Sequence, residues 1–192
     1  MKKIAVFASG NGSNFQVIAE KVESGEIPAE ICFLFCDKGN AFALERAEKL
    51  KIKTFAFSPK NFESRKQYEE AILELCRSYG VELIVLAGYM RIVGETLLTA
   101  YPNKIINIHP SLLPNFPGLH GIADAFEAGV EETGVTVHYI DNGVDTGPII
   151  AQEKIKVEKE ETLESLEEKI HAVEHVLYPR VLKEIISKRD KV

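Results

Sequence analysis

Lys2-Lys3-Ile4-Ala5-Val6-Phe7-Ala8-Ser9-Gly10-Asn11-Gly12-Ser13-Asn14 is the stretch that decides the fold. A short apolar run breaks into a polar turn carrying two glycines, and helical periodicity follows over residues 13–24, so the segment reads strand, turn, helix. Working outward, apolar runs rich in β-branched residues recur at 31–35, 83–86 and 104–108. Between them, residues 41–50, 64–78 and 94–100 carry helical spacing. Strands alternating with helices predict an α/β fold with a mostly parallel central sheet. After His109 the pattern changes. A loop rich in proline and glycine runs through Gly118, and a helix ends near Ala128. Residues 134–140 and 147–157 then alternate as strands around a turn at Asp141-Asn142-Gly143, which predicts an antiparallel C-terminal edge. A last helix starts near Leu163, capped by Thr162 or a neighbour, and Pro179 is expected to kink it or start a new turn.

The 192 residues suffice for one good core and no stretch has the composition of a linker, so a single domain spanning 1–192 is expected. Against 29 acidic residues stand 23 basic ones, giving a net charge of -6 with no basic stripe, and nucleic acid is not an expected partner. The three cysteines, Cys32, Cys36 and Cys76, lie in apolar stretches and read as reduced buried thiols. The basic start followed by apolar residues stops too soon for a signal peptide. No later run approaches the roughly 20 apolar residues that cross a bilayer. A cytoplasmic protein without membrane contact is expected.

Ligands of open parallel sheets bind beyond the carboxyl ends of the strands, which directs attention to loops 9–14, 88–91 and 109–118. Asn107 and His109, two apart on a strand, share a face, and Pro110 ends the pairing. An amide donor beside an imidazole suits a reaction that builds an oxyanion at a carbonyl carbon. The same pair also reads as a strand ending in a polar turn. Asp145 lies between Gly143 and Gly147, whose flexibility lets the chain aim a carboxylate inward, where it would favour the imidazolium of His109. A plain turn aspartate is the alternative.

Loop 9–14 opens a helix, so its amides suit a phosphate. It lacks the lysine of a P-loop, and Phe15 stands where the dinucleotide fingerprint needs its third glycine. Read without a ligand, Ser13 with Gln16 is a capping box. His171-Ala172-Val173-Glu174-His175 fits the H-x-x-E-H spacing of a zinc site, but no third ligand is evident and no metal is expected. Gly88-Tyr89-Met90-Arg91-Ile92-Val93 offers apolar surface and free backbone groups that suit a planar heterocycle. Arg65 suits an anionic group and His120 a polar ligand edge, though each also reads as an ordinary surface side chain.

Taken together, Ser9-Gly10-Asn11-Gly12-Ser13-Asn14, Leu86-Ala87-Gly88-Tyr89-Met90-Arg91, Asn107 through Pro114 with Phe116-Pro117-Gly118, and Val144-Asp145-Thr146-Gly147-Pro148-Ile149 resemble the phosphoribosylglycinamide formyltransferase family. The likeness runs from Ile4 to Tyr178. It implies a Rossmann-like formyltransferase fold and transfer of a formyl group from the cosubstrate 10-formyltetrahydrofolate to the amine of 5-phosphoribosylglycinamide, in purine synthesis and without a metal. It also implies that Asn107, His109 and Asp145 are the catalytic trio, that Gly12, Ser13 and Asn14 hold the phosphate, and that Glu174 holds the ribose end. Arg65, Met90, Arg91, Ile92, Val93, Ile140, Asp141 and Val144 fall where the family builds its folate pocket. Gly121-Ile122 stands where some relatives carry a second histidine, and His171 receives no assigned role. A monomer or a homodimer is expected. The alternatives are a formyltetrahydrofolate hydrolase, which usually carries an extra regulatory domain, and a nucleotide-binding module in which the trio does no chemistry. Methionyl-tRNA formyltransferase fits poorly with an acidic chain that has no second domain.

Overall fold

The apolar start of the chain becomes strand β1 (Lys2–Ala8), third in a seven-stranded sheet. On one side lie β2 (Ala29–Cys36) and the short edge strand β3 (Thr54–Ala56); on the other follow β4 (Leu83–Leu86), β5 (Ile105–His109), β6 (Glu132–Tyr139) and β7 (Ile149–Lys156). The first five strands pair in parallel, while β5–β6 and β6–β7 are antiparallel, as the change of pattern after His109 predicts. This computed structural model describes residues 1–189, so positions 190–192 of the expected 1–192 span lie outside the described residues.

Strand β3 was not expected. It has three residues, none buried, and its apolar run Phe55-Ala56-Phe57 is too short to mark a strand. Its place is given by pairing with β2, Phe35 opposite Phe55.

The parallel strands read as near-continuous apolar runs because both faces are covered. Ile4, Val6, Leu34, Val85 and Ile106 face a core shared with α1 (Ser13–Glu23), α2 (Phe42–Lys49) and α6 (Leu163–Arg189). Ala5, Phe7, Phe33, Phe35 and Ile84 face α3 (Arg65–Ser78) and α4 (Glu95–Ala100). This second core draws on no residue of β6 or β7. The sheet is therefore left uncovered by that core where β5 meets β6, and polar residues there have a cleft to point into.

Helix α6 rules out a new turn at Pro179, because it runs through that residue as a single helix of 27 residues. An interior proline costs about 3 kcal/mol, but Leu177, Tyr178, Val181 and Leu182 are buried on either side of it, and that burial outweighs the cost. Its start is as expected, with Thr162 Oγ1 accepting from the Ser165 amide at 3.1 Å. Tyr178 also pins the strand ends: its fully buried hydroxyl donates to the carbonyls of Leu86 at 2.7 Å and Ile106 at 3.1 Å.

Candidate active site

The parallel order reverses between β1 and β4, the position where open α/β sheets place ligands. Beside this point, beyond the ends of β4 and β5, lies a cleft of about 340 Å³, lined by Met90, Arg91, Ile92, Val93, Asn107, His109, Ile140, Asp141, Val144 and Asp145. Residues far apart in sequence meet here because β5, the loop after β4 and the β6–β7 connection all end on one side.

His109 is almost wholly buried, and its Nε2 lies 2.8 Å from the carbonyl oxygen of Phe116. A carbonyl can only accept, so Nε2 carries a proton. Its Nδ1 lies 3.5 Å from Asp145 Oδ2. Each ring nitrogen thus has an oxygen acceptor beside it. The two acceptors are aimed by unusual backbone, since Phe116 and Asp145 have φ of 52° and 55°. Non-glycine residues seldom adopt this left-handed conformation, and its cost is accepted where the surroundings impose it. The flanking glycines do a different job from the one expected. A Cβ on Gly147 would lie 1.8 Å from the Tyr139 carbonyl, so glycine is needed there for close approach of two backbones, and one on Gly143 would displace the Thr146 hydroxyl. The Gly118 amide fixes Asp145 further by donating to Oδ2 at 2.8 Å.

Asn107 lies opposite His138 in the β5–β6 register, and their side chains meet at 3.4 Å between Nδ2 and Nε2. Burial pushes the His138 imidazole below its ordinary range, only partly offset by its backbone contact and by Asp145. His138 Nδ1 donates to the Tyr139 carbonyl at 3.0 Å, which leaves Nε2 as an acceptor for one Asn107 amide hydrogen. The second amide hydrogen of Asn107 is left for a ligand. Sequence reasoning missed His138, because only the antiparallel register, invisible in the sequence, sets it beside Asn107.

The loop after β4 is tethered at several points. Ser9 Oγ accepts from the Met90 amide at 2.8 Å, Arg91 Nε donates to the buried Asp37 at 2.8 Å, and Glu69 Oε2 accepts from the Gly94 amide at 2.6 Å. Asp37 and Glu69 are buried polar residues that no motif marked. Met90 and Ile92 remain more than half exposed, apolar and free for a ligand. Arg65 lies outside this cleft, in the adjoining groove, where its guanidinium donates to the Ile92 carbonyl. Asp141 is occupied by its own loop: Oδ1 accepts from the Gly143 amide at 2.9 Å and from Thr146 Oγ1 at 2.7 Å, and the threonine bond leads in holding the carboxyl below its usual range.

Loop 9–14 forms a second locus, joined to the first through Ser9, whose amide donates to Gly88 at 3.0 Å. Gly12 precedes α1 in the left-handed region with φ 78°, and no side chain caps the helix. The expected capping box is therefore absent. Ser13 is the first helical residue, one position too late to cap, and Gln16 Nε2 turns to Glu20 instead at 2.8 Å. Across the loop stands α6, whose buried Glu174 accepts from Asn14 Nδ2 at 2.6 Å. His175 contacts Ser13 Oγ at 3.2 Å, and His171 lies 3.7 Å from Glu174, which raises the imidazole above its ordinary range. The H-x-x-E-H residues thus face the loop, and among the described residues no group of three or more His, Cys, Asp or Glu is placed to hold a metal ion. His120 is exposed just before α5 (Gly121–Glu127) and caps it with no side-chain bond.

The formyl transferase family model matches residues 2–182. The chain belongs to the formyl transferase family. A phosphoribosylglycinamide formyltransferase of Bacillus subtilis is 52% identical over 191 residues, covering 100% of this chain and 98% of the relative. The crystal structure of phosphoribosylglycinamide formyltransferase from Bacillus halodurans superposes with a TM-score of 0.95 at 49% identity, over 98% of this chain and 97% of that one. Glycinamide ribonucleotide transformylase 1 of Geobacillus kaustophilus gives a TM-score of 0.95 at 51% identity, over 97% and 99% of the two chains. For a formyl transferase the two loci divide naturally: a cleft with an amide and an imidazole suits a reacting carbonyl, and a helix entrance suits an anionic acceptor. Among the described residues no helix is long and apolar enough to cross a membrane.

Proposed function

We propose that this formyl transferase moves the formyl group of 10-formyltetrahydrofolate to the amine of 5-phosphoribosylglycinamide, releasing tetrahydrofolate. The observation that carries the reading is the convergence of Asn107, His109 and Asp145 on one cleft that Met90, Ile92, Val93, Ile140 and Val144 line with apolar side chains. That cleft takes the folate, with Met90, Ile92, Val93, Ile140 and Val144 against its ring. Gly12, Ser13 and Asn14 hold the phosphate, and Glu174 the ribose. The neutral amine attacks the formyl carbon directly, so no acyl-enzyme forms. The amide of Asn107 and a protonated His109 stabilise the developing oxyanion, and Asp145 sustains that protonation. The proton lost by the amine passes to the departing folate nitrogen, through a water held at Asp145. His138 orients Asn107. Three free thiols, two of them pushed up to about 12 by burial, are consistent with a reducing cytoplasm.

The test mixes the protein with 10-formyltetrahydrofolate, with and without 5-phosphoribosylglycinamide, and follows the folate product by absorbance. Product only with the nucleotide is the expected result. Product without it points to a hydrolase, and no product in either case, with nucleotide bound, points to a regulatory module.

A further inference from the structure

Loop 9–14 has no lysine, yet a cation reaches it from α2. Arg46 Nε donates to the Asn11 carbonyl at 2.8 Å and Nη2 to Asn11 Oδ1 at 2.6 Å. Among the described residues it is the one lysine or arginine that hydrogen-bonds to this loop. Both its acceptors are neutral, and among the described residues it has no ion-pair partner, in contrast to Arg91, whose charge Asp37 balances. The guanidinium also lies 4.9 Å from the centre of the Phe42 ring, which holds it in place without neutralising it.

Helix α2 also sets the shape of the loop. The Ala43 amide donates to the Gly10 carbonyl at 3.0 Å, and a Cβ on Gly12 would come within 2.6 Å of Ala43 Cβ. Only glycine allows both the left-handed turn and this approach, so the loop is pressed against the helix that carries Arg46.

We infer that Arg46 is the positioning residue of the phosphate site, holding loop 9–14 through Asn11 and supplying the uncompensated positive charge that a P-loop takes from its lysine. The inference rests on the reading of this loop as the phosphate site. The charge favours a dianion, while the bidentate grip keeps the amides of Ser13 and Asn14 turned toward it.

The experiment compares 5-phosphoribosylglycinamide with its 5′-hydroxyl analogue, which lacks the phosphate, on the full chain. Wild type should prefer the phosphorylated substrate, with a KM that rises with salt. Arg46→Gln should raise that KM by about tenfold or more, as expected for losing a charge-assisted contact. Its kcat, its KM for 10-formyltetrahydrofolate and its rate with the analogue should stay within about twofold, and its salt dependence should flatten. Arg46→Lys, which keeps the charge but not the fork, should be intermediate. If Arg46→Gln harms both substrates equally, or neither, the inference fails while the phosphate loop stands. If Arg46→Gln does not fold, Arg46→Lys decides: an unchanged preference for the phosphate overturns the inference, and a preference reduced several-fold supports it. A wild type indifferent to the phosphate overturns the loop reading itself.

Discussion

The cleft at Asn107 and the loop at Gly12 both sit beyond carboxyl ends of strands, yet they are built in opposite ways. In the cleft, the proposed ligand contacts are side chains, and backbone aims them: the left-handed Phe116 and Asp145 place the two groups that hold His109. In the loop, the proposed phosphate contacts are backbone amides, and side chains set the backbone, through Arg46 on Asn11 and Ala43 against Gly12. The difference follows from the chemistry each must meet. A carbonyl that becomes an oxyanion needs a proton donor whose state is controlled, which side chains supply. A phosphate with a fixed charge needs several donors at a fixed spacing, which a helix entrance supplies.

The comparison breaks most plainly at Asn107. Asn107→Ala should lower kcat by about 10²–10³-fold, the loss expected for one oxyanion donor. The unfolding transition should be unchanged, and near-normal turnover would remove Asn107 from the mechanism. His138→Leu tests whether aiming is separable from donating. It should lower kcat by up to about 10²-fold, as a misplaced group does, with both KM values little changed. The same variant carries a pH signature. Because burial depresses native His138, the unfolded chain takes up a proton below pH 6.5 that the native ring refuses, so stability present above that value is lost as the pH falls. Unfolding followed from neutral to acid pH should show a shallower loss in His138→Leu. Burial also depresses His175, which leaves part of the slope in place.

On the loop side, Gly12→Ala should destabilise the fold by about 2 kcal/mol through its left-handed φ alone. It should also raise the KM for 5-phosphoribosylglycinamide more than it lowers kcat. A fall in kcat without a rise in KM would mean that the loop serves the chemistry rather than the phosphate. The smallest effect is expected at Glu69→Gln, which keeps an acceptor for the Gly94 amide but loses its charge, a difference of about 1 kcal/mol. It should appear as a modest rise in the KM for 10-formyltetrahydrofolate. A change in the other substrate's KM would break the separation of the two loci.

Most of the fold was legible because the parallel strands are apolar throughout and the helices between them have one apolar face. What escaped was short or polar. Strand β3 has no buried residue, and Pro179 outranks its surroundings in any local reading although burial on both sides of it decides the outcome. At the site, Asn107 and His109 were readable because a strand puts alternate residues on one face. His138, Glu69, Asp37 and Arg46 were not, since each is an ordinary residue of its own element or, for Asp37, of the bend after β2.

By itself, then, the sequence determined the strands and helices other than β3, where the sheet changes from parallel to antiparallel, and which loops could carry chemistry. These are consequences of periodicity and turn residues, forces that act over a few positions. Only the tertiary structure decided which residue aims which: His138 on Asn107, Phe116 and Asp145 on His109, Arg46 on Asn11. Hydrogen bonds between distant elements depend on register and on loop conformations paid for by the packed whole, and no local pattern encodes them.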